Sequence, residues 1–244
     1  MYLNEASLFD VVRKQIRFKM KSYTGIYHSL FILQILGLFV ASIGEGSMSE
    51  FGYGRSISVE SFSSTVVVAM TAVWLFINTL LLTTRAYRED DFTFISTRWS
   101  RHLANFSFVV VLALLGTVTA FLATNALKVY LFYKKSELII MHTHPFSILT
   151  SLIVLFFYLI LIAAIAYTIG SIIQRNKVLG ISISLFFLVL GMISIDIDGT
   201  PITFLLDFFM NETSLILLLL KIVLANGLLF IISWKVLDNQ EVRV

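Results

Sequence analysis

Long apolar runs leave this chain few ways to fold. Six of them follow one another: Ile26–Ile43, Phe62–Thr84, Asn105–Leu127, Phe146–Ile173, Val178–Ile195 and Ser214–Trp234. A bilayer core about 30 Å thick needs roughly 20 apolar residues at a helical rise of about 1.5 Å. Leu, Ile, Val and Phe occupy every side of these runs with no period-two alternation, so they read as helices and not as barrel strands. Only 14% of the residues are charged and 58% are hydrophobic, whereas a soluble domain carries about 25% charged residues. The absence of Cys excludes disulfides, a thiolate nucleophile and a Cys-based zinc site. The expected fold is an all-α integral membrane protein. An amphipathic interfacial helix occupies residues 1–25, and a single six-helix transmembrane domain occupies residues 26–244.

Orientation follows from the Lys and Arg residues in the connections. With the N-terminus inside, the inner side holds Arg13, Lys14, Arg17, Lys19, Lys21, Arg85, Arg88, Arg98, Arg101, Arg175, Lys177, Lys235 and Arg243. The outer side holds only Arg55, Lys128, Lys134 and Lys135, and Lys221 lies within the sixth run. The imbalance predicts a multi-pass protein of the cell membrane with both termini cytoplasmic. It also accounts for the net charge of +3 without a nucleic-acid partner. The first run follows a basic stretch and lacks an A-x-A-like exit, so it reads as an uncleaved anchor.

Three segments outside the runs carry information. In Leu8–Tyr23, Phe9, Val12, Ile16, Met20 and Tyr23 recur at steps of three and four, and Asp10, Arg13, Lys14, Arg17 and Lys21 recur on another face. This pattern is a basic amphipathic helix, expected to rest in the inner interface with its cations toward anionic lipid headgroups. The alternative is a generic positive flank of the first span. In Arg85–Asn105, charged residues alternate with Phe92, Phe94, Ile95 and Trp99. Asp90 or Asp91 is expected to cap a short helix starting near Phe92. Its aromatic face suits a soluble partner, or else rests on headgroups. In Asp196–Thr213, a Gly-Thr-Pro turn ending at Pro201 precedes an apolar stretch too short to span. A re-entrant or interfacial outer helix is expected there. Phe204, Leu205, Phe208 and Phe209 on it are either an apolar outer gate or an interfacial aromatic anchor.

Signatures of chemistry are missing. The chain has no Walker-type phosphate loop, no H-E-x-x-H and no G-x-S-x-G. His142 and His144 are two residues apart without a third ligand nearby, which does not make a metal site. Asn211-Glu212-Thr213 matches the glycosylation sequon, a short pattern that chance often produces. Lys221 is the one clear ionisable residue inside a run, able to snorkel outward or face a wet pathway. Ala166 and Gly170 form a small-xxx-small pair suited to close helix packing. An intramembrane enzyme or a proton-coupled carrier lacks the polar constellation it would need.

The order of segments resembles the membrane subunit of ABC-2 type transporters, exporter permeases that work with a separate ATPase. The likeness covers essentially the whole chain and is mostly architectural. Its most specific local match is Arg88-Glu89-Asp90-Asp91, then Phe92-Thr93-Phe94-Ile95-Ser96-Thr97, then Arg101. The chain has Arg98 where the family's segment has Pro. The resemblance implies a coupling helix made of Glu89, Asp90, Asp91, Phe92, Phe94, Ile95, Trp99 and Arg101, seated in a cleft of the ATP-binding subunit. It implies that the N-terminal helix is a connecting helix and that two permeases pair, as a homo- or heterodimer. ATP and Mg would sit on the partner subunit, and this chain would hold no cofactor and no metal and would not itself be an enzyme. Substrate would leave past Pro201, Phe204, Leu205 and Phe208. Phe-rich spans with few internal charges suit an amphipathic or hydrophobic cargo such as a peptide, lipid or drug. The competing reading is a non-transporting membrane sensor or immunity protein that binds a toxin peptide or lipid.

Overall fold

A computed structural model of the protein describes residues 8–43, 46–52, 55–61, 65–91, 97–134, 145–182, 184–185, 201–212 and 214–238. The described residues are mostly helical. Its elements are α1 (Leu8–Ser22), α2 (Thr24–Ile43), β1 (Gly46–Gly52), β2 (Arg55–Ser61), α3 (Thr65–Leu82), α4 (Arg85–Asp91), α5 (Arg98–Lys134) and α6 (Pro145–Arg175). They continue with helical turns at 177–182 and 184–185, here α7, and end with α8 (Pro201–Met210) and α9 (Leu215–Asp238). Five helices among the described residues are long and apolar enough to cross a membrane: α2, α3, α5, α6 and α9. The fifth expected run, Val178–Ile195, is described only at 178–182 and 184–185, within α7; the rest of it lies outside the described residues.

The structure departs from the expected elements at three places. The connection after α2 forms an antiparallel hairpin paired from Gly46↔Ser61 to Gly52↔Arg55, where an all-α chain was expected. The third run is part of a helix of 37 residues, about 55 Å long at about 1.5 Å per residue, so it extends well past one bilayer core. Asp90 and Asp91, expected to precede a short helix near Phe92, lie inside α4, and residues 92–96 lie outside the described ones. Thr97 caps α5 instead: its hydroxyl accepts the backbone N–H of Ser100 at 3.2 Å. Asn176 plays the same part for α7, accepting the N–H of Val178 at 3.2 Å. Pro145 and Pro201 stand at the first position of α6 and α8, where a missing N–H costs nothing.

Lipid tails are as apolar as Leu, so helices in a bilayer associate through close packing and polar contacts. Both are present. Trp74 is 1% exposed at the centre of the core, and its Nε1 donates to the Ile26 carbonyl at 3.1 Å and to Ser29 Oγ at 3.0 Å. Gln34 Nε2 donates to Thr71 Oγ1 at 3.2 Å and to Thr119 Oγ1 at 2.9 Å, tying α2, α3 and α5 together. Ala166 is fully buried, and a Cβ on Gly170 would collide with Thr83 Oγ1, so the small pair of α6 does serve close packing, on the end of α3. Outward faces remain apolar, as with Phe31, Ile35 and Phe39 on α2 and Leu220, Leu224 and Leu228 on α9. Such a belt suits lipid and not water.

Helix directions can be read from these contacts. Gly37 lies against Val67 and Ser29 against Trp74, so α2 and α3 are antiparallel. Tyr158 OH donates to the Phe209 carbonyl just before α9 at 2.7 Å, while Thr168 and Ser233 hydroxyls meet at 3.0 Å further along. α6 and α9 are therefore parallel neighbours. Trp99 at the start of α5 packs on Trp234 near the end of α9, with ring centroids 4.6 Å apart. The first and last described helices thus reach the same end, called here the α1 end; α8 lies toward the other.

Candidate functional site

Two groups of residues stand out, one at each end of the bundle. At the α1 end, α1 seats a polar edge on α5. Val12, Gln15 and Lys19 are buried, with Lys19 only 1% exposed. Lys19 was counted among the cations facing the inner aqueous side; it lies instead inside the protein. Its ammonium donates to Asn105 Oδ1. Asn105 Nδ2 donates to Tyr167 OH at 3.4 Å, and Tyr167 OH meets His102 Nδ1 at 3.0 Å. A chain of polar side chains therefore crosses from α1 through α5 to α6. Burying an ammonium is costly unless hydrogen bonds satisfy it, so this contact fixes where α1 sits. The apolar stripe read from the sequence divides: Val12 faces α5, Ile16 is half-buried, and Phe9 at 72% exposed and Met20 at 39% stay on the outside with Arg13 and Arg17.

Beside it lies α4. Arg85 Nε donates to Glu89 Oε1 at 2.6 Å across one helical turn, both side chains being well exposed. An exposed pair of this kind is worth about 0.3–0.5 kcal/mol. Tyr23, the residue between α1 and α2, donates its OH to Asp90 Oδ2 at 3.3 Å and sets its ring edge-on to Tyr87 at 4.7 Å. The same ring lies 6.1 Å from Phe108 of α5. Tyr23 thus links α4 to the corner where the amphipathic helix meets the first span. Asp91 ends α4, Trp99 and Arg101 lie in the first turns of α5, and Arg101 is half-buried. Trp99 is half exposed and spends one face on Trp234. Phe92, Phe94 and Ile95 lie outside the described residues.

At the other end, α8 is clamped. The last carbonyls of a helix have no partner within it. Lys221 Nζ donates to the Phe208 carbonyl at 3.0 Å, and Tyr158 OH takes the Phe209 carbonyl. Lys221 also pairs with Glu212 and stands 4.0 Å above the Phe208 ring, adding a cation–π contact at the negative end of the helix. The hydrogen bond from Lys221 holds the Glu212 carboxyl below its ordinary pKa, and the charge of Lys221 adds to it. Lys221 thus reaches toward α8 at the start of α9 and spends its charge on Glu212 and the end of α8. Phe204 is 73% exposed and Phe208 half exposed. Pro201 opens the helix; its side chain and that of Leu205 lie outside the description. His142 and His144 lie outside the described residues, among which no cluster of three or more His, Cys, Asp or Glu forms a metal site.

The sequence missed Lys19, His102, Asn105 and Tyr167 as a group. The available signal was the spacing Val12, Gln15, Lys19, a second stripe at helical steps that is polar and was masked by the cationic face beside it. Glu212 was read only as part of a sequon, yet it sits nine residues before Lys221, on the far side of a helix start. No protein-family model matches the chain, and no curated protein sequence matches it.

Proposed function

We propose that this chain is the permease subunit of an ABC-2 type exporter, with α4 and the residues through Trp99 as its docking element for a separate ATPase. The observation that carries the reading is the Tyr23 joint. A short charged helix at one end of the bundle is tied through one aromatic residue to both α1 and α2. A push on α4 by a soluble partner would therefore reach the first span directly, which is what coupling to an ATPase requires. Further support comes from the topology. Five described helices are long and apolar enough to span, both described ends of the chain share one end of the bundle, and the apolar run Val178–Ile195 is read as the sixth span. On the Lys and Arg distribution, that shared end is cytoplasmic and the membrane is the cell membrane.

In this reading two permeases pair, ATP and Mg belong to the ATPase subunits, and substrate passes α8 on the outer side. The few internal charges of the spans favour an amphipathic or hydrophobic cargo. The docking element is tested by Phe92→Ala/Phe94→Ala, which spares Trp99 and its contact with Trp234. The purified variant should lose its ATPase subunit while keeping wild-type thermal stability. A stable variant that retains the ATPase would refute the docking assignment.

A further inference from the structure

Between α1 and the start of α5 runs an open groove of about 870 Å³. Its apolar lining includes Phe9, Ile16, Met20 and Leu103. Along one rim stand Arg13, Arg17 and Lys21, spaced at four-residue steps and so in one row of the helix. None of the three pairs with a described carboxylate, and α1 carries one acid, Asp10, against five cations. Ser107 lies one turn beyond Leu103 and also lines the groove.

We propose that this groove binds an acidic phospholipid from the leaflet at the α1 end. Three observations select that occupant. A row of unpaired cations calls for an anion, and the apolar lining beneath it calls for hydrocarbon; one phospholipid supplies both. The level is right, since α1 ends at Ser22 and α2 begins at Thr24, which puts Lys21 where a span enters the bilayer and Leu103 a little over one turn into α5. Beyond Ser107, Leu114, Val118 and Leu122 follow at helical steps along α5, all exposed. That stripe gives acyl chains a path out of the groove, which an acidic peptide would not need. Arg13, Arg17 and Lys21 hold the phosphate and its neighbouring headgroup oxygens, while Met20, Ile16 and Leu103 take the first methylenes. The lipid then wedges the outer face of α1, whose inner face is held by Lys19 and Asn105. The inference rests on membrane embedding alone: a chain with no ATPase partner would keep this site, and loss of the site would leave the ATPase contact standing.

Native mass spectrometry of the delipidated full-length protein, incubated with equimolar phosphatidylglycerol and phosphatidylcholine, tests it. The wild type should retain one phosphatidylglycerol in clear preference to phosphatidylcholine. Each basic residue near an anionic headgroup is worth roughly a fivefold change, so Arg13→Gln/Arg17→Gln/Lys21→Gln should weaken retention about a hundredfold. Leu103→Trp keeps every cation and obstructs the groove where the first methylenes lie; it should also weaken lipid retention, by about tenfold. Arg175→Gln/Lys177→Gln, which removes cations elsewhere at the same end, should behave as wild type. Equal retention of both lipids by the wild type would overturn the proposal. So would full retention in a folded Leu103→Trp protein, which would reduce the effect to diffuse charge. Displacement by millimolar glycerol phosphate would overturn it as well, because a site for the phosphate alone has no use for the apolar lining.

Discussion

Removing the Asn105 amide should unseat α1, and the size of the effect follows from its contacts. Asn105→Leu takes away the acceptor for the buried Lys19 ammonium and the donor to Tyr167. A hydrogen bond to a charged group contributes about 1.5–3 kcal/mol and a neutral one about 0.5–1.5. The variant should therefore lose about 2–4.5 kcal/mol. Lys19→Met alone leaves Asn105 Oδ1 without its donor, at a cost of about 1–3 kcal/mol. The double variant removes charge and acceptor together and leaves an apolar contact of similar volume. Its loss should fall short of the summed single losses by about 1.5–3 kcal/mol. Unfolding in mixed detergent micelles, followed by the fluorescence of Trp74, Trp99 and Trp234, measures all three variants. Single losses that add to within about 0.5 kcal/mol would refute the contact and the seating of α1 that depends on it.

The other predictions concern packing, the α8 clamp and the Trp pair. Gly170→Ala should destabilise by about 1–3 kcal/mol through overpacking, and Thr83→Ala should restore most of that in the same unfolding assay, because the Thr83 hydroxyl and methyl are the atoms met. The Glu212 pKa is lowered by Lys221, so the clamp is complete above the ordinary carboxylate range and is lost as pH falls through the lowered value. With no native Cys, a spin label on Phe204→Cys should be restrained at neutral pH and freed on acidification. Glu212→Gln should free it at every pH, and a label equally restrained in that variant would contradict the clamp. Trp234→Leu should free the Trp99 ring without abolishing folding, seen as a red-shifted emission for the Trp99 contribution.

The five described span candidates were legible because crossing a bilayer sets a minimum length that few other uses of apolar residues require. Close packing at Gly170 was legible for a similar reason, since two small residues one turn apart have few other uses. Lys19 was not legible. A helix taken alone shows a cationic face and an apolar face, and nothing in α1 tells that the edge bearing Gln15 and Lys19 turns toward Asn105, 86 positions away from Lys19. The cap of α5 was not singled out because Asp90, Asp91 and Thr97 are all good N-caps by residue type, and only the extent of α4 sets the two Asp residues apart. The hairpin at Gly46–Ser61 was passed over because its apolar residues are few. The alternation Ser56, Ile57, Ser58, Val59 is short and weak beside spans of 18 residues or more.

The composition of the gently solubilised complex bears most directly on the central claim. The account predicts two copies of this chain, or one copy and a second permease, together with two copies of an ATP-binding subunit, in a particle that hydrolyses ATP. A homogeneous particle containing this chain with no ATP-binding subunit, purified under conditions that keep Tyr23, α4 and α5 folded, would contradict it.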